Sequence, residues 1–299
     1  MHPKLLQQQA VGENTDHGWA SVSVLTHRNQ ERQFGMHPLQ KLLTVLKISP
    51  ISMKKTICLD FGNTRLKAAL FQDNELVKEI AVENDKDDTI LAIIKTYQPD
   101  AAILSSVINH NVAIEDILAT HTNFHKLSHS SQINFTTPVG KPSSIGADRL
   151  ALAAAAVHYY PHQNNLVIGL GSCITYNFIN QYHQFLGGSI SPGLQMRFTS
   201  MHDFTALLPM IEKGNDENWW NFPVIGYDTK TNLQSGVIAG ISYEIAGFID
   251  FYSNRYGNFN VVLTGGDAGY FGRHLKKKIF ADNNFLFKGL YAISEVNNC

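Results

Sequence analysis

Short apolar runs, each followed by a turn of glycine, asparagine or aspartate, recur along this chain and predict β-strands. Residues 56–59 form a continuous apolar run, residues 66–71 alternate, and residues 76–82 follow the turn pair Asp73 and Asn74. Runs of this length with such turns between them are typical of strands joined by tight hairpins. The pattern therefore predicts a three-stranded meander.

Helical periodicity begins after the meander. Residues 89–97 and residues 112–119 carry apolar side chains at helical spacing, and the apolar run 101–104 between them predicts a buried strand. Three strands followed by helix, strand and helix are typical of an α/β domain with a mixed sheet.

The second half of the chain repeats the first. Residues 166–175 again read as strand, glycine-rich turn and strand, about a hundred residues after the first occurrence. The repeat predicts an α/β protein with two duplicated domains, residues 53–160 and 161–299, and a cleft between them. Further elements expected in the second domain are a strand at 184–190, helices at 194–208 and 229–251, and a strand at 261–263.

Residues 1–52 lack this periodicity. They contain Gln7-Gln8-Gln9 with scattered histidine and asparagine, and Met53 opens directly onto the first predicted strand. The long apolar segment of a signal peptide is missing. We interpret these residues as a disordered leader or a mis-assigned start, and an amphipathic transit peptide is the weaker alternative because arginine is sparse.

The composition gives no support to several classes of binding partner and structural site. The 299 residues are 44% hydrophobic and 16% charged, with a formal net charge of -1, so no electrostatic argument favours nucleic acid or an anionic membrane surface. No apolar run approaches the roughly 20 residues of a membrane-spanning helix. Cys58, Cys173 and Cys299 are far apart, which gives neither a zinc motif nor a disulfide framework. A cytoplasmic protein is expected.

The segment 60–67, between the first two predicted strands, carries candidate chemistry. Gly62 and Asn63 tolerate the positive φ of a tight turn, and the freed N–H groups are suited to an anion such as phosphate. Asp60 is suited to Mg²⁺, which prefers one or two carboxylates together with phosphate oxygens and water. From these residues alone, an ordinary tight turn with an exposed carboxylate is about as well supported as a site for phosphate and Mg²⁺.

A second candidate is Asp148, in the first turn of a helix expected from about residue 144 to residue 160, with Ser143 or Ser144 as N-cap. Its carboxylate either only complements the helix dipole or, beside Arg149, stays ionised and accepts a proton. The residues leave both alternatives open.

Six short motifs occur in the order seen in type III pantothenate kinases, and the chain resembles that family from residue 53 to its last residue. The family belongs to the superfamily of acetate and sugar kinases, Hsp70 and actin, so the resemblance implies duplicated actin-like (ribonuclease H-like) domains. The motifs lie at residues 60–67, 146–149, 187–193, 205–209, 229–236 and 264–267.

The resemblance implies ATP-dependent phosphorylation of pantothenate, the first step toward coenzyme A, by a cytoplasmic homodimer. Asp148 would be the catalytic base and Asp60 would lie near magnesium. The implied ATP-binding residues are Asp60, Phe61, Gly62, Asn63, Thr64, Arg65, Leu66, Lys67 and Ser172. The implied pantothenate-binding residues are Gly146, Ala147, Asp148, Arg149 and Thr229.

The chain departs from the family pattern at one implied site. Gly169 stands where the family usually has an aspartate that binds a monovalent cation, K⁺ or NH₄⁺. We expect this cation site to be lost. A competing interpretation is that another carboxylate reaches the same place from elsewhere in the chain. Two other functions remain as alternatives: a catalytically weakened regulatory protein, and an ATPase that does not depend on pantothenate.

Overall fold

In the part of the chain that the structure describes, two five-stranded sheets form the framework, and each draws its strands from one half of the sequence. In the first sheet the order is β3-β2-β1-β4-β5, with β1 antiparallel to β2 and parallel to β4. The predicted meander and the mixed pairing are confirmed. The strands are β1 (Lys55–Phe61), β2 (Leu66–Gln72), β3 (Glu75–Val82), β4 (Ala101–Ser106) and β5 (Asn123–Lys126).

The second sheet repeats this topology. Its order is β10-β9-β6-β7-β8, so the first strand of the half again lies between its antiparallel hairpin partner and a parallel strand from later in the chain. The expected α/β class with duplicated mixed sheets is confirmed. The strands are β6 (Asn164–Leu170), β7 (Cys173–Ile179), β8 (Phe185–Pro192), β9 (Phe259–Thr264) and β10 (Phe280–Ala281).

Helices cover both sheets, and three features of them differ most from those expected. The third helix has Gly146 as its N-cap instead of a serine, the fourth ends at Asp203 instead of residue 208, and the predicted helix 229–251 contains a π-helical segment, Ser235–Ala239. The helices are α1 (Asp87–Tyr97), α2 (Ala113–His121), α3 (Ala147–Tyr159), α4 (Leu194–Asp203), α5 (Glu217–Trp220), α6 (Thr229–Gln234), α7 (Gly240–Arg255), α8 (Ala268–His274) and α9 (Phe285–Asn297).

A buried alanine-rich helix lies at the centre of one apolar core. Residues 151–156 of α3 are almost fully buried, and α9 packs against them. The approach is close because a Cβ at Gly289 would lie 1.8 Å from the Ala151 carbonyl oxygen. The same helix α9 also contacts β1, β2 and β4, so it completes the core beneath the first sheet.

The computed structural model describes residues 54–137, 144–214, 217–275 and 279–298. Its contacts place residues 52–299 in one compact unit, so the domain boundary at residue 160 stays a prediction. The expected leader, Met53, Ser143 and Cys299 lie outside the described residues. No helix in the described ranges is both long enough and apolar enough to span a bilayer.

Candidate active site

The segment between β1 and β2 forms a closed four-residue turn. The Gly62 amide donates to the Arg65 carbonyl oxygen at 3.2 Å. Neither Gly62 nor Asn63 has positive φ, so that expectation was wrong. A four-residue loop is usually built on a type I turn, whereas the two-residue loop at Asp73 and Asn74, with φ of 47° and 72°, requires left-handed residues.

A second turn, between β6 and β7, meets the first. Thr64 Oγ1 and Ser172 Oγ are 2.7 Å apart, which joins turns from the two sheets by a hydroxyl–hydroxyl hydrogen bond. Behind Ser172, the Gly193 amide donates to the Ser172 carbonyl oxygen at 3.0 Å. A Cβ at Gly193 would lie 2.2 Å from the Gly171 carbonyl oxygen, so only glycine fits where α4 begins.

The turn after β9 approaches the end of β6 equally closely. Gly265 has a φ of +99°, and a Cβ there would lie 2.4 Å from the Leu170 carbonyl oxygen. The Asp267 amide donates to the same oxygen at 3.4 Å, and the Asp267 carboxylate pairs with Lys213. The turn after β9 therefore lies against the strand that leads to Ser172.

Two carboxylates interact at this site. Asp60 lies near the end of β1 and is half-buried, and Asp148 lies in the first turn of α3. Burial, and then the negative charge of Asp148, raise the pKa of Asp60 from 3.8 to about 6, against the opposing charge of Lys67. The predicted metal-site carboxylate and the predicted base are thus brought together.

Ser105 adds a polar atom beside Asp60 that the sequence did not single out. The two residues are paired in register on the parallel strands β1 and β4. Ser105 is fully buried, and its hydroxyl has no hydrogen-bond partner among the residues that the structure describes. A buried hydroxyl without a partner is rare in a folded protein. Its position beside a half-buried carboxylate favours a ligand that binds oxygen atoms.

Arg149 follows Asp148 on α3 and is held in place. Its Nε donates to Asn177 Oδ1 at 2.7 Å, and its Cζ lies 5.5 Å from the centre of the Phe185 ring. Burial lowers the pKa of Arg149, while the charge of Asp148 acts to raise it. Within the described parts of the chain Arg149 has no salt bridge to a carboxylate, so its charge is available to a ligand.

A cavity of about 640 Å³ lies beside the first turn. Residues 62–68, from the turn and the start of β2, line it on one strand, and residues 79–83 line it at the end of β3, together with Ile108 and Phe287. A cavity of this size is in the range of small-molecule sites. Neither residues 146–149 nor Ser172 line it.

Thr229 and Gly169 are placed differently from the other predicted residues. Thr229 is exposed at the start of α6, after the capping residue Asp228, and no described hydrogen bond joins it to residues 146–149. Gly169 lies in β6, where a Cβ would be 2.8 Å from Thr175 Oγ1. The Thr175 hydroxyl therefore occupies the space that a longer side chain at 169 would need.

Comparison with known proteins identifies the family of this chain. A model of the type III pantothenate kinase family matches residues 56–250. The type III pantothenate kinase of Flavobacterium johnsoniae is 37% identical over 237 residues, 78% of this chain and 95% of that protein. That of Christiangramia forsetii is 37% identical over 243 residues, 81% of this chain and 98% of that protein.

Among solved structures, a Campylobacter jejuni protein described as a Baf family transcriptional activator aligns with a TM-score of 0.51 and 18% identity. The alignment covers 80% of this chain and 97% of that one, and at this identity it shows the fold alone. The family model and the curated relatives go further, because they match most of the described chain: this protein belongs to the type III pantothenate kinase family.

Proposed function

We infer that this protein phosphorylates pantothenate with ATP, the first step of coenzyme A biosynthesis. Family membership supports the reaction. One observation carries the assignment of the site: the negative charge of Asp148, at the start of α3, helps to raise the pKa of Asp60 beside the turn, so the two carboxylates act on one site. Phosphoryl transfer needs a phosphate-binding turn and a proton acceptor side by side.

The turn 60–67 and Ser172 are proposed to bind the phosphates of ATP. Thr64 and Ser172 bring hydroxyl groups from the two sheets to one point, and Lys67 supplies a positive charge beside Asp60. Catalysis of phosphoryl transfer rests mainly on alignment and on neutralising charge on the phosphate oxygens. The cavity along the same turn gives space for the remainder of the nucleotide.

Asp60 is the residue proposed to hold Mg²⁺, with the Ser105 hydroxyl beside it. The donor set fits, because Asp60 offers a half-buried carboxylate and Ser105 a buried hydroxyl with no partner in the described ranges of the chain. Among the described residues no group of three acidic, histidine or cysteine side chains forms a metal site on its own. A cation held largely by phosphate oxygens and water needs only one or two carboxylates, and it would neutralise phosphate charge.

Asp148 is proposed to orient the primary hydroxyl of pantothenate and accept its proton as the oxygen attacks the γ-phosphorus and ADP leaves. Gly146 and Ala147 place the backbone of the helix start next to it. Arg149 is proposed to bind the pantothenate carboxylate, because a guanidinium offers two parallel donors to a carboxylate.

A homodimer is proposed from exposed apolar residues in two segments, 204–207 and 225–227, the second of which leads directly into Thr229. Phe204, Leu207, Ile225 and Tyr227 are large apolar residues with exposed fractions of 88%, 93%, 87% and 81%. Apolar side chains this exposed would be stabilised if a partner covered them together. A partner subunit covering them would bring its surface next to Thr229, which fits a pantothenate site close to the subunit interface.

The dimer is tested by measuring the mass in solution with light scattering. The double variant Leu207→Glu and Ile225→Glu is expected to be a monomer, and Val112→Glu, on another exposed apolar residue, is the matched control. A monomeric wild-type protein contradicts the proposal.

The reaction is tested by coupled ADP release with and without pantothenate. We expect release to depend on pantothenate, and Asp148→Asn to lower kcat by about 10²- to 10⁴-fold while nucleotide binding persists. Equal release without pantothenate would identify an ATPase. Nucleotide binding without any turnover would identify a regulatory protein.

A further inference from the structure

We propose that Asn177 is a positioning residue for substrate recognition: it aims the Arg149 guanidinium at the carboxylate of pantothenate and anchors it without neutralising its charge. This inference rests on the proposed function of Arg149. It adds a buried residue of β7 that does not itself touch the substrate.

The orientation of the Asn177 side chain is fixed by its partners. The residue is fully buried, and its Nδ2 donates to the Val167 carbonyl oxygen and to Thr175 Oγ1, each at 3.2 Å. Both amide hydrogens are therefore used within the second sheet. Only Oδ1 faces Arg149, and it accepts from Nε at 2.7 Å. A flipped amide would set two donors against the guanidinium and leave the Val167 carbonyl oxygen unpaired.

This hydrogen bond selects which edge of Arg149 is offered to a ligand. Nε is occupied, and the Phe185 ring, 5.5 Å from Cζ, packs against the guanidinium. A guanidinium has five N–H donors in a fixed plane. With Nε held, the two terminal nitrogens form the edge that remains, and they make the parallel pair of bonds that a carboxylate accepts.

The absence of charge on the Asn177 side chain matters as much as its position. An aspartate at 177 would also accept from Nε, but it would form an ion pair and cancel the attraction of Arg149 for a second carboxylate. An asparagine holds the same group by a hydrogen bond alone. Since Arg149 has no salt bridge to a carboxylate among the described residues, the substrate is the negative partner that the site is built to receive.

Steady-state kinetics of the full chain test this role, using pantothenate and pantothenyl alcohol, in which a hydroxymethyl group replaces the carboxylate. Turnover of pantothenate by the wild-type protein is measured first, because its absence would refute the proposed function itself. We expect Asn177→Leu to raise KM for pantothenate about tenfold or more, the cost of losing one hydrogen bond to a charged group. KM for ATP is expected to stay within about twofold of wild type.

The preference for pantothenate over pantothenyl alcohol distinguishes a positioning role of Asn177 from a general loss of stability. We expect it to fall in Asn177→Leu and also in Asn177→Asp, which keeps the shape and the acceptor for Arg149 but adds a charge and gives up the hydrogen bonds to Val167 and Thr175. Asn165→Leu is the matched control, since Asn165 is a buried asparagine of β6 bonded to the backbone carbonyls of Tyr160 and Gln163. It should keep the wild-type preference whatever it costs in stability.

A double-mutant cycle completes the test. In an Arg149→Ala background, Asn177→Asp should leave the acid-to-alcohol preference unchanged, because the group it positions is gone. An active wild-type protein whose preference is unaltered in the single variant Asn177→Asp overturns the positioning role and leaves the proposed function standing. Additive effects in the double variant overturn it as well.

Discussion

Asp60 is held where its negative charge is costly to the folded protein. Its pKa is raised to about 6 from 3.8, first by burial and then by Asp148. The folded state therefore binds this proton more tightly than the unfolded chain does. The resulting stabilisation is fully present below the unfolded pKa and is lost as the pH rises through about 6. Above that pH, the ionised carboxylate opposes folding until a cation is bound.

Replacing Asp60 by asparagine should consequently stabilise the protein while impairing its chemistry. Without nucleotide or metal, we expect Asp60→Asn to raise the free energy of unfolding by about 1–3 kcal/mol at pH 7.5, and by less at pH 5. Denaturant titrations in EDTA at the two pH values measure this. Asp148→Asn serves as the companion variant, because it removes one cause of the raised pKa. No gain at pH 7.5 in either variant would show that the two charges do not oppose each other.

Gly169 leads to a prediction about monovalent cations. A glycine supplies at most a backbone carbonyl, and the Thr175 hydroxyl lies where the rest of a longer side chain would go. At fixed ionic strength, we expect turnover to be the same in potassium, ammonium, sodium and a bulky organic cation. Strong stimulation of the wild-type protein by potassium or ammonium would contradict the loss of the cation site. Stimulation that appears only in Gly169→Asp combined with Thr175→Ala would support it.

Single residues also mark the limit of what the sequence predicted. The segment 60–67 stood out because a motif follows a recognisable strand. Ser105 and Asn177 did not, since each is one small polar residue inside an apolar strand, and its importance depends on neighbours from other elements. The same holds for the contact between Thr64 and Ser172, which joins residues far apart in the chain.

At the scale of elements, an ion pair and hydrogen bonds hold α4, the helix that follows the Ser172 turn in space, against its neighbours. Arg197 of α4 pairs with Glu244 of α7, and Tyr176 of β7 donates to the same carboxylate at 2.8 Å. Arg197 Nε also donates to the Pro192 carbonyl oxygen at 2.8 Å. Burial acts to raise the pKa of Glu244, but the hydrogen bonds from Arg197, Ser191 and Tyr176 outweigh it and lower the pKa.

Glu244→Gln is expected to lower the free energy of unfolding by about 1–3 kcal/mol at pH 7, because it leaves partly buried donors unmatched. Since the folded pKa of Glu244 is lowered, the contribution of the wild-type carboxylate is present above its unfolded pKa of 4.5 and is lost as the pH falls. Denaturant titrations at pH 7 and pH 4 should therefore show a smaller difference at pH 4. Glu212→Gln, on an exposed glutamate, is the control. An equal loss at both pH values would contradict an electrostatic origin.

The sequence predicted the order of the strands better than the ends of the helices. Alternation and turn residues are local signals, and they located the meander and the repeated hairpin. The N-cap of α3 was missed because Gly146 has no side chain that would reveal a cap. The π-helical segment at Ser235–Ala239 was missed because one wide turn barely disturbs the periodicity of a long helix.

At the scale of the whole molecule, the similarity to curated relatives is confined to part of the chain. The first two relatives are covered over 95% and 98% of their own length by 78% and 81% of this chain. We expect residues 53–299 expressed alone to match the full chain in kcat and in thermal unfolding, since residues 52–299 form one compact unit. Activity assays and calorimetry on both proteins measure this. Lower solubility or turnover of the shorter protein would show that residues 1–52 contribute to the fold or the reaction.

The position of α9 has a consequence for synthesis on the ribosome. This helix covers β1, β2 and β4, although those strands are translated long before it. Until Phe285–Asn297 has left the exit tunnel, the first sheet has only part of its cover on that side, from α3, and the apolar residues that α9 buries are open to solvent and to chaperones. A nascent chain stalled before residue 285 should therefore be recovered with a holdase chaperone and be cut readily by protease, whereas the released chain should resist both.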